Sequence, residues 1–165
     1  MSDCGAAEKL FHLLSVNKLS FATAESLTCG LIAAKMGEVP GVSGVYEGGF
    51  VTYSPEMKMS ALGVSGETIR KYGTVSRECA AEMCAGAAER SGADAAVSAT
   101  GNAGPDASEG KPVGLVYIGV FLNGRVSVKE YRFEGSRPQV REAAAERALL
   151  DVAGMIGIEC GGEIV

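Results

Sequence analysis

Three segments carry side chains whose types and spacing could do chemistry. In the first, Thr23-Ala24-Glu25-Ser26-Leu27-Thr28-Cys29-Gly30, a strand ends and small polar residues open a helix. Backbone N–H groups at a helix N-terminus lack intrahelical acceptors and carry partial positive charge. A serine there can be a nucleophile beside an oxyanion site, a ligand for phosphate, or simply the helix N-cap. The second segment runs from Gly49 to Lys58 and contains Tyr53, Ser54 and Pro55. Ser54 fits an N-cap and Pro55 the first helical position, which puts Lys58 about one turn into a helix. A lysine desolvated beside Ser26 would give up its proton more readily and could act as base for the hydroxyl, with Tyr53 assisting by hydrogen bonding. Left in water, the same lysine is an ordinary helix-surface residue. The third segment, Ser98-Ala99-Thr100-Gly101-Asn102-Ala103-Gly104-Pro105-Asp106, runs from a buried strand into a glycine-rich loop. Ligands of open α/β sheets sit outside the carboxyl ends of strands, and Gly101 and Gly104 would let the backbone approach one. A tight loop that needs glycine for its own turns has the same sequence. The glycine spacing matches neither a dinucleotide nor a P-loop fingerprint.

The elements that must position these residues follow from hydrophobic period and capping. Leu10, Phe11, Leu13 and Leu14 predict a helix over Ala6–Asn17. Short strands are expected over Leu19–Thr23, over Val45–Tyr53 with an interruption at Gly48-Gly49, and over Ala95–Thr100. Helices are expected over Leu31–Met36, from Ser54, from Ser65 to Gly73, and over Arg77–Ser91 with Ser76 as N-cap and Gly92 just past the end. Val113–Leu122 and Arg125–Phe133, joined by Asn123-Gly124, predict a hairpin. Arg137–Met155 closes the chain as a helix. Strands separated by helices can pair in parallel, whereas hairpin strands pair antiparallel. The expected fold is therefore α/β: a single-domain sandwich over residues 1–165, with a mixed sheet of parallel strands plus an antiparallel hairpin, covered by helices.

Composition narrows the functional classes. At 165 residues with 47% hydrophobic and 21% charged residues, the chain builds one core and is not intrinsically disordered. A net charge of −5 gives no cationic field for nucleic acid polymers, but leaves room for one small anion held by a single arginine or helix N-terminus. No apolar run approaches the roughly 20 residues that span a bilayer, and the N-terminus lacks a basic region before its apolar stretch. A cytoplasmic protein without membrane contact is expected. The five cysteines, Cys4, Cys29, Cys79, Cys84 and Cys160, are odd in number and irregular in spacing, which argues against a disulfide framework or a zinc site. No His/Cys/Asp cluster has metal-ligand spacing, and the single histidine, His12, supports no catalytic triad.

Taken in order, Thr-Ala-Glu-Ser at 23–26, Gly-Phe-Val-Thr-Tyr-Ser at 49–54 with Lys58, Leu-Gly-Val at 62–64, Gly-x-Val-Ser at 73–76, Thr-Gly-x-Ala-Gly-Pro at 100–105 and Lys-Pro-Val-Gly at 111–114 resemble the CinA C-terminal domain family. Its stand-alone members are nicotinamide-nucleotide amidohydrolases of the PncC type, and the resemblance runs from about residue 6 to about residue 155. It implies hydrolysis of the carboxamide of nicotinamide mononucleotide to nicotinate mononucleotide and ammonia, as in pyridine nucleotide salvage. A homo-oligomer, no cofactor and no metal are implied with it. The amino-terminal domain of the CinA version, and any pyrophosphatase activity tied to it, are expected to be absent.

Under the resemblance, Ser26 and Lys58 meet as nucleophile and base, with Tyr53 orienting or relaying. The backbone of Leu27 and Thr28 at the helix N-terminus would bind the oxyanion. Thr28, Gly30, Thr100, Gly101 and Gly104 would contact the nucleotide, and Arg141 or Arg137 its phosphate. The family usually reads Ala-Glu-Ser-Cys-Thr-Gly-Gly where this chain reads Ala-Glu-Ser-Leu-Thr-Cys-Gly. Cys29 thus puts a side chain where the backbone would approach the ligand. That departure keeps open an alternative from another class, a non-catalytic nucleotide-binding or competence-related regulatory module.

Overall fold

The computed structural model describes residues 5–160; Cys4 lies outside them. Five strands, β1 (Phe21–Glu25), β2 (Tyr46–Val51), β3 (Ala95–Gly101), β4 (Leu115–Leu122) and β5 (Arg125–Arg132), form one sheet in the order β2-β1-β3-β4-β5. β1 runs parallel to both β2 and β3, while β4 is antiparallel to β3 and β5. Helices α1 (Ala6–Asn17), α2 (Leu31–Gly37) and α6 (Arg137–Cys160) cover one face. Helices α3 (Pro55–Leu62), α4 (Gly66–Tyr72) and α5 (Arg77–Ser91) lie on the other. This is the mixed-sheet α/β sandwich that the pattern predicts.

The alternation of side chains explains the two layers. Phe21, Val97, Val116, Ile118 and Val120 pack with Leu10, Leu14, Ile32 and Leu149 in the core under α1, α2 and α6. The opposite face of the central strands carries small residues, Ala22, Ala24 and Ala96, so α5 packs close against it through Cys79 and Met83. Gly119 belongs to this close approach: a Cβ there would lie 2.7 Å from the Ala80 carbonyl oxygen. Because both faces are covered, every residue of β1 is buried.

Some boundaries move, each for a local reason. The first strand covers Phe21–Glu25 rather than Leu19–Thr23. Leu19 instead closes α1, its N–H donating to the Leu14 carbonyl beyond Lys18 in the left-handed conformation. Ser20 and Asp94 then tie the entries of β1 and β3 together. β2 runs through Gly48-Gly49 with an irregularity of register opposite Phe21 and Ala22. The last helix continues to Cys160. The Ser54, Ser65 and Ser76 caps form as expected, each side-chain oxygen accepting a backbone N–H.

Candidate active site

The carboxyl ends of the parallel strands β1, β2 and β3 lie side by side, and the three candidate segments meet there. The Ser26 N–H donates to Ala99 at the end of β3, and the Thr52 N–H donates to Glu25 at the end of β1. These bonds fix the nucleophile candidate against both neighbouring strands. Leaving β2, the chain turns at Ser54 into α3, which brings Lys58 back over the end of β1. Its Nζ lies 2.9 Å from Ser26 Oγ and 2.7 Å from the Thr52 carbonyl oxygen.

Lys58 is only 1% exposed, and Ser26 is buried as well. Burial lowers the Lys58 pKa from its ordinary value near 10.5, and the weaker pull of Cys79 and Glu109 does not reverse this. Burial also pushes the neighbouring Cys79 thiol up to about 11, so it stays neutral at physiological pH. No carboxylate among the described residues forms an ion pair with Lys58. In the structure Nζ donates to both the Ser26 hydroxyl and the Thr52 carbonyl; once the amine loses its proton, its lone pair can instead accept the Ser26 hydroxyl proton.

The turn after Ser26 differs from the expected helix N-terminus. Ser26–Cys29 form a turn closed by a 3.1 Å bond from the Cys29 N–H to the Ser26 carbonyl, and α2 begins only at Leu31. The N-terminus of α2 is already occupied by the fully buried carboxylate of Glu25. One of its oxygens accepts the Gly30 and Ile32 N–H groups, both at 3.0 Å, and the other accepts Ala33 at 2.9 Å. The helix end is therefore not free to hold phosphate or an oxyanion. The N–H groups of Leu27 and Thr28, in the turn ahead of the helix, donate to no protein acceptor among the described residues.

A cleft of about 250 Å³ opens beside Ser26, lined by Leu27, Tyr53, Thr100, Asp106 and Arg137 among others. Its far wall is the loop after β3. Asn102, buried at the base of that loop, donates to the carbonyls of Ser108 and Lys111 and accepts the Ser108 hydroxyl. Glu109 accepts from the N–H groups of Thr74 and Val75, pinning the loop to the segment before α5.

Several expected binding residues take other roles. Arg141 does not line the cleft: its guanidinium donates to the carbonyls of Leu27 and Thr28, both at 2.9 Å. Arg137, one turn earlier on α6, lines it instead and donates to Tyr53 Oη at 2.9 Å and Gly104 O at 2.6 Å. Tyr53 is thus a rim residue, 55% exposed, whose hydroxyl meets Arg137 rather than Ser26 or Lys58. The Thr28 side chain is fully buried, and its hydroxyl has no partner among the described residues. Gly30 adopts φ +91° with its N–H committed to Glu25, so its conformation demands glycine and its N–H is unavailable to a nucleotide. Gly101 lines the cleft, but a Cβ there would lie 2.5 Å from the Leu115 carbonyl oxygen, so β4 requires this glycine. Gly104 and Thr100 also line the cleft, the Thr100 hydroxyl donating to Thr74 at 2.7 Å. Cys29 is exposed and does not line the cleft, so its side chain narrows nothing there. Its φ of +49° is the left-handed conformation that glycine adopts without strain.

Sequence alone does not assign Glu25 and Asn102 their roles. For Glu25 a signal existed, an acidic residue shortly before a helix start. Asn102 sits in a glycine-rich loop, where asparagine usually serves only its own turn.

The CinA C-terminal domain family matches residues 4–156. The chain belongs to the CinA C-terminal domain family. Among curated CinA relatives, a competence-damage inducible protein of Caldicellulosiruptor saccharolyticus is 49% identical over 143 residues, covering 86% of this chain and 35% of that protein. A CinA-like protein of Dictyoglomus thermophilum is 47% identical over 135 residues, covering 81% and 33%. The chain thus spans about a third of the length of these relatives. Among solved structures, a CinA superfamily protein from Klebsiella pneumoniae superposes with a TM-score of 0.90 at 29% identity, covering 93% of this chain and 96% of that one. A competence/damage inducible protein from Agrobacterium tumefaciens gives 0.87 at 40% identity, covering 91% and 93%. The sheet order and helical layers described above are therefore those of the CinA fold. No helix among the described residues is long and apolar enough to cross a membrane.

Proposed function

We propose that the protein hydrolyses the carboxamide of nicotinamide mononucleotide to nicotinate mononucleotide and ammonia by a serine–lysine mechanism. The observation that carries this reading is the buried 2.9 Å contact between Ser26 Oγ and Lys58 Nζ, with no ion-pair partner for the lysine among the described residues. Neutral Lys58 takes the Ser26 proton as Oγ attacks the amide carbon. The tetrahedral oxyanion is received by the N–H groups of Leu27 and Thr28. Lys58 returns its proton to the nitrogen as the C–N bond breaks and ammonia leaves. Water, deprotonated by Lys58, then attacks the Ser26 ester; the C–Oγ bond breaks, Lys58 returns its proton to Ser26 Oγ, and the carboxylic acid released gives up its proton to solvent or ammonia as the carboxylate product. Arg137, at the cleft rim and in no ion pair among the described residues, supplies the cation for the phosphate. No step calls for a metal or cofactor.

A second reading is a non-catalytic nucleotide-binding module; the competence-damage name of the Caldicellulosiruptor saccharolyticus relative supports only its link to competence. Ammonia release from nicotinamide mononucleotide, nicotinamide riboside and nicotinamide, alongside binding measured by calorimetry, separates the two. Release from the mononucleotide supports the hydrolase, and binding without release supports the module. Sedimentation of the purified protein tests the homo-oligomer that the family resemblance implies.

A further inference from the structure

We infer that Arg141 is a positioning residue for the oxyanion-binding turn rather than a ligand for substrate; this rests on the serine–lysine reading above. In a trans peptide the C=O and N–H point in opposite directions, so whatever holds the carbonyl aims the N–H. Arg141 Nε holds the Leu27 carbonyl at 2.9 Å, which fixes the peptide carrying the Thr28 N–H. Arg141 Nη2 holds the Thr28 carbonyl at 2.9 Å, which fixes the peptide carrying the Cys29 N–H. That N–H closes the turn onto the Ser26 carbonyl and so fixes the peptide carrying the Leu27 N–H. The two N–H groups without protein acceptors are therefore the two whose peptides are held from behind by one guanidinium and the turn it stabilises.

The arginine reaches this position from α6, across the layer from α2, and makes no salt bridge among the described residues. On the other side of the turn, Glu25 ties down the start of α2. A peptide flip at Leu27–Thr28 would break the Arg141 bond and put a carbonyl where the Thr28 N–H stands, which would repel a developing oxyanion. A lysine has no planar fork with which to satisfy both carbonyls in this geometry.

The test compares wild type with Arg141→Lys and Arg141→Ala on two substrates, nicotinamide mononucleotide and p-nitrophenyl acetate. In the second reaction Ser26 Oγ attacks the ester carbonyl, Lys58 takes the serine proton and p-nitrophenolate leaves. It needs the dyad and the oxyanion turn but not the nucleotide site. Loss of one oxyanion donor costs about 100- to 1,000-fold in kcat. Partial misalignment in Arg141→Lys is expected to lower kcat about 10- to 100-fold with KM within about twofold, and to slow Ser26 acylation by a similar factor. Added methylguanidinium should restore part of the lost rate in Arg141→Ala but none in Ser26→Ala. An increase in KM at unchanged kcat, or unimpaired acylation in both folded variants, overturns the inference. Acylation of wild type without ammonia release would remove the nucleotide reading while leaving the role of Arg141 to be decided by the acylation rates.

Discussion

Lys58 Nζ and Ser26 Oγ lie 2.9 Å apart, brought together from helix α3 and the end of strand β1 across a sequence separation of 32 residues. Among the described residues the only other polar partner of the amine is the carbonyl of Thr52. Burial of this kind lowers the cost of removing the lysine proton, and a free amine beside a serine hydroxyl is a base in position.

The pH dependence follows from the direction of the Lys58 shift. Burial lowers its folded pKa below 10.5, so the free amine is populated at lower pH than for an exposed lysine. kcat/KM should rise with pH and level off, with a midpoint below 10.5. Lys58→Arg, which cannot deprotonate in the accessible range, should be inactive at every pH. In the interval between the folded pKa and the unfolded value, the unfolded chain binds more protons, so this group makes stability rise with pH there. Denaturant titrations across the alkaline range should show that slope in wild type and a flatter one in Lys58→Met.

Arg137 is expected to act on binding. A charge-assisted hydrogen bond contributes about 1.5–3 kcal/mol, or about 10- to 150-fold in affinity. Arg137→Ala should raise KM for nicotinamide mononucleotide by a factor in this range, while hydrolysis of nicotinamide riboside, which lacks the phosphate, should change little. Steady-state kinetics on the two substrates checks this.

Glu25 is expected to act on stability. Its carboxylate accepts three backbone N–H groups at the start of α2, and the amide of Glu25→Gln can keep only its oxygen as an acceptor. Losing a hydrogen bond to a charged group costs about 1.5–3 kcal/mol. Chemical denaturation of Glu25→Gln should show a loss of about 2 kcal/mol.

Cys29 tests the one departure from the family pattern. Its left-handed backbone costs about 1–2 kcal/mol for a residue with a Cβ, partly offset by the greater unfolded-state entropy of glycine. Cys29→Gly should therefore gain up to about 1 kcal/mol of stability. With the thiol exposed and outside the cleft, kcat and KM should stay within about twofold of wild type. A melting curve and a kinetic run on the one variant suffice.

Local chemistry was the legible part of the sequence. Ser54-Pro55 starts α3, and Asn123-Gly124, both with positive φ, turns the β4–β5 hairpin, because each depends only on its own backbone. The residue types of the site could be read for the same reason, whereas their meeting depends on strands β1 and β2 ending side by side, which spacing alone does not encode. Arg137 and Arg141 show where local reading stops. They are the same residue type one turn apart on α6, and they differ only in what the fold places opposite them, a cleft for one and the back of the Ser26 turn for the other. Gly101 makes room for β4 rather than for a ligand, and close packing between strands leaves no mark on the glycine itself. Glu25 looked like part of a motif, but its carboxylate acquires a task only once α2 folds back over it.

The central claim is that Ser26 and Lys58 act together on an amide. Its most direct test is ammonia release from nicotinamide mononucleotide by wild type, Ser26→Ala and Lys58→Ala, each shown to be folded by circular dichroism. Wild type should release ammonia continuously and both variants should lose at least about 1,000-fold, since removing a nucleophile or its base disables the chemical step. Near wild-type turnover in either variant would contradict it.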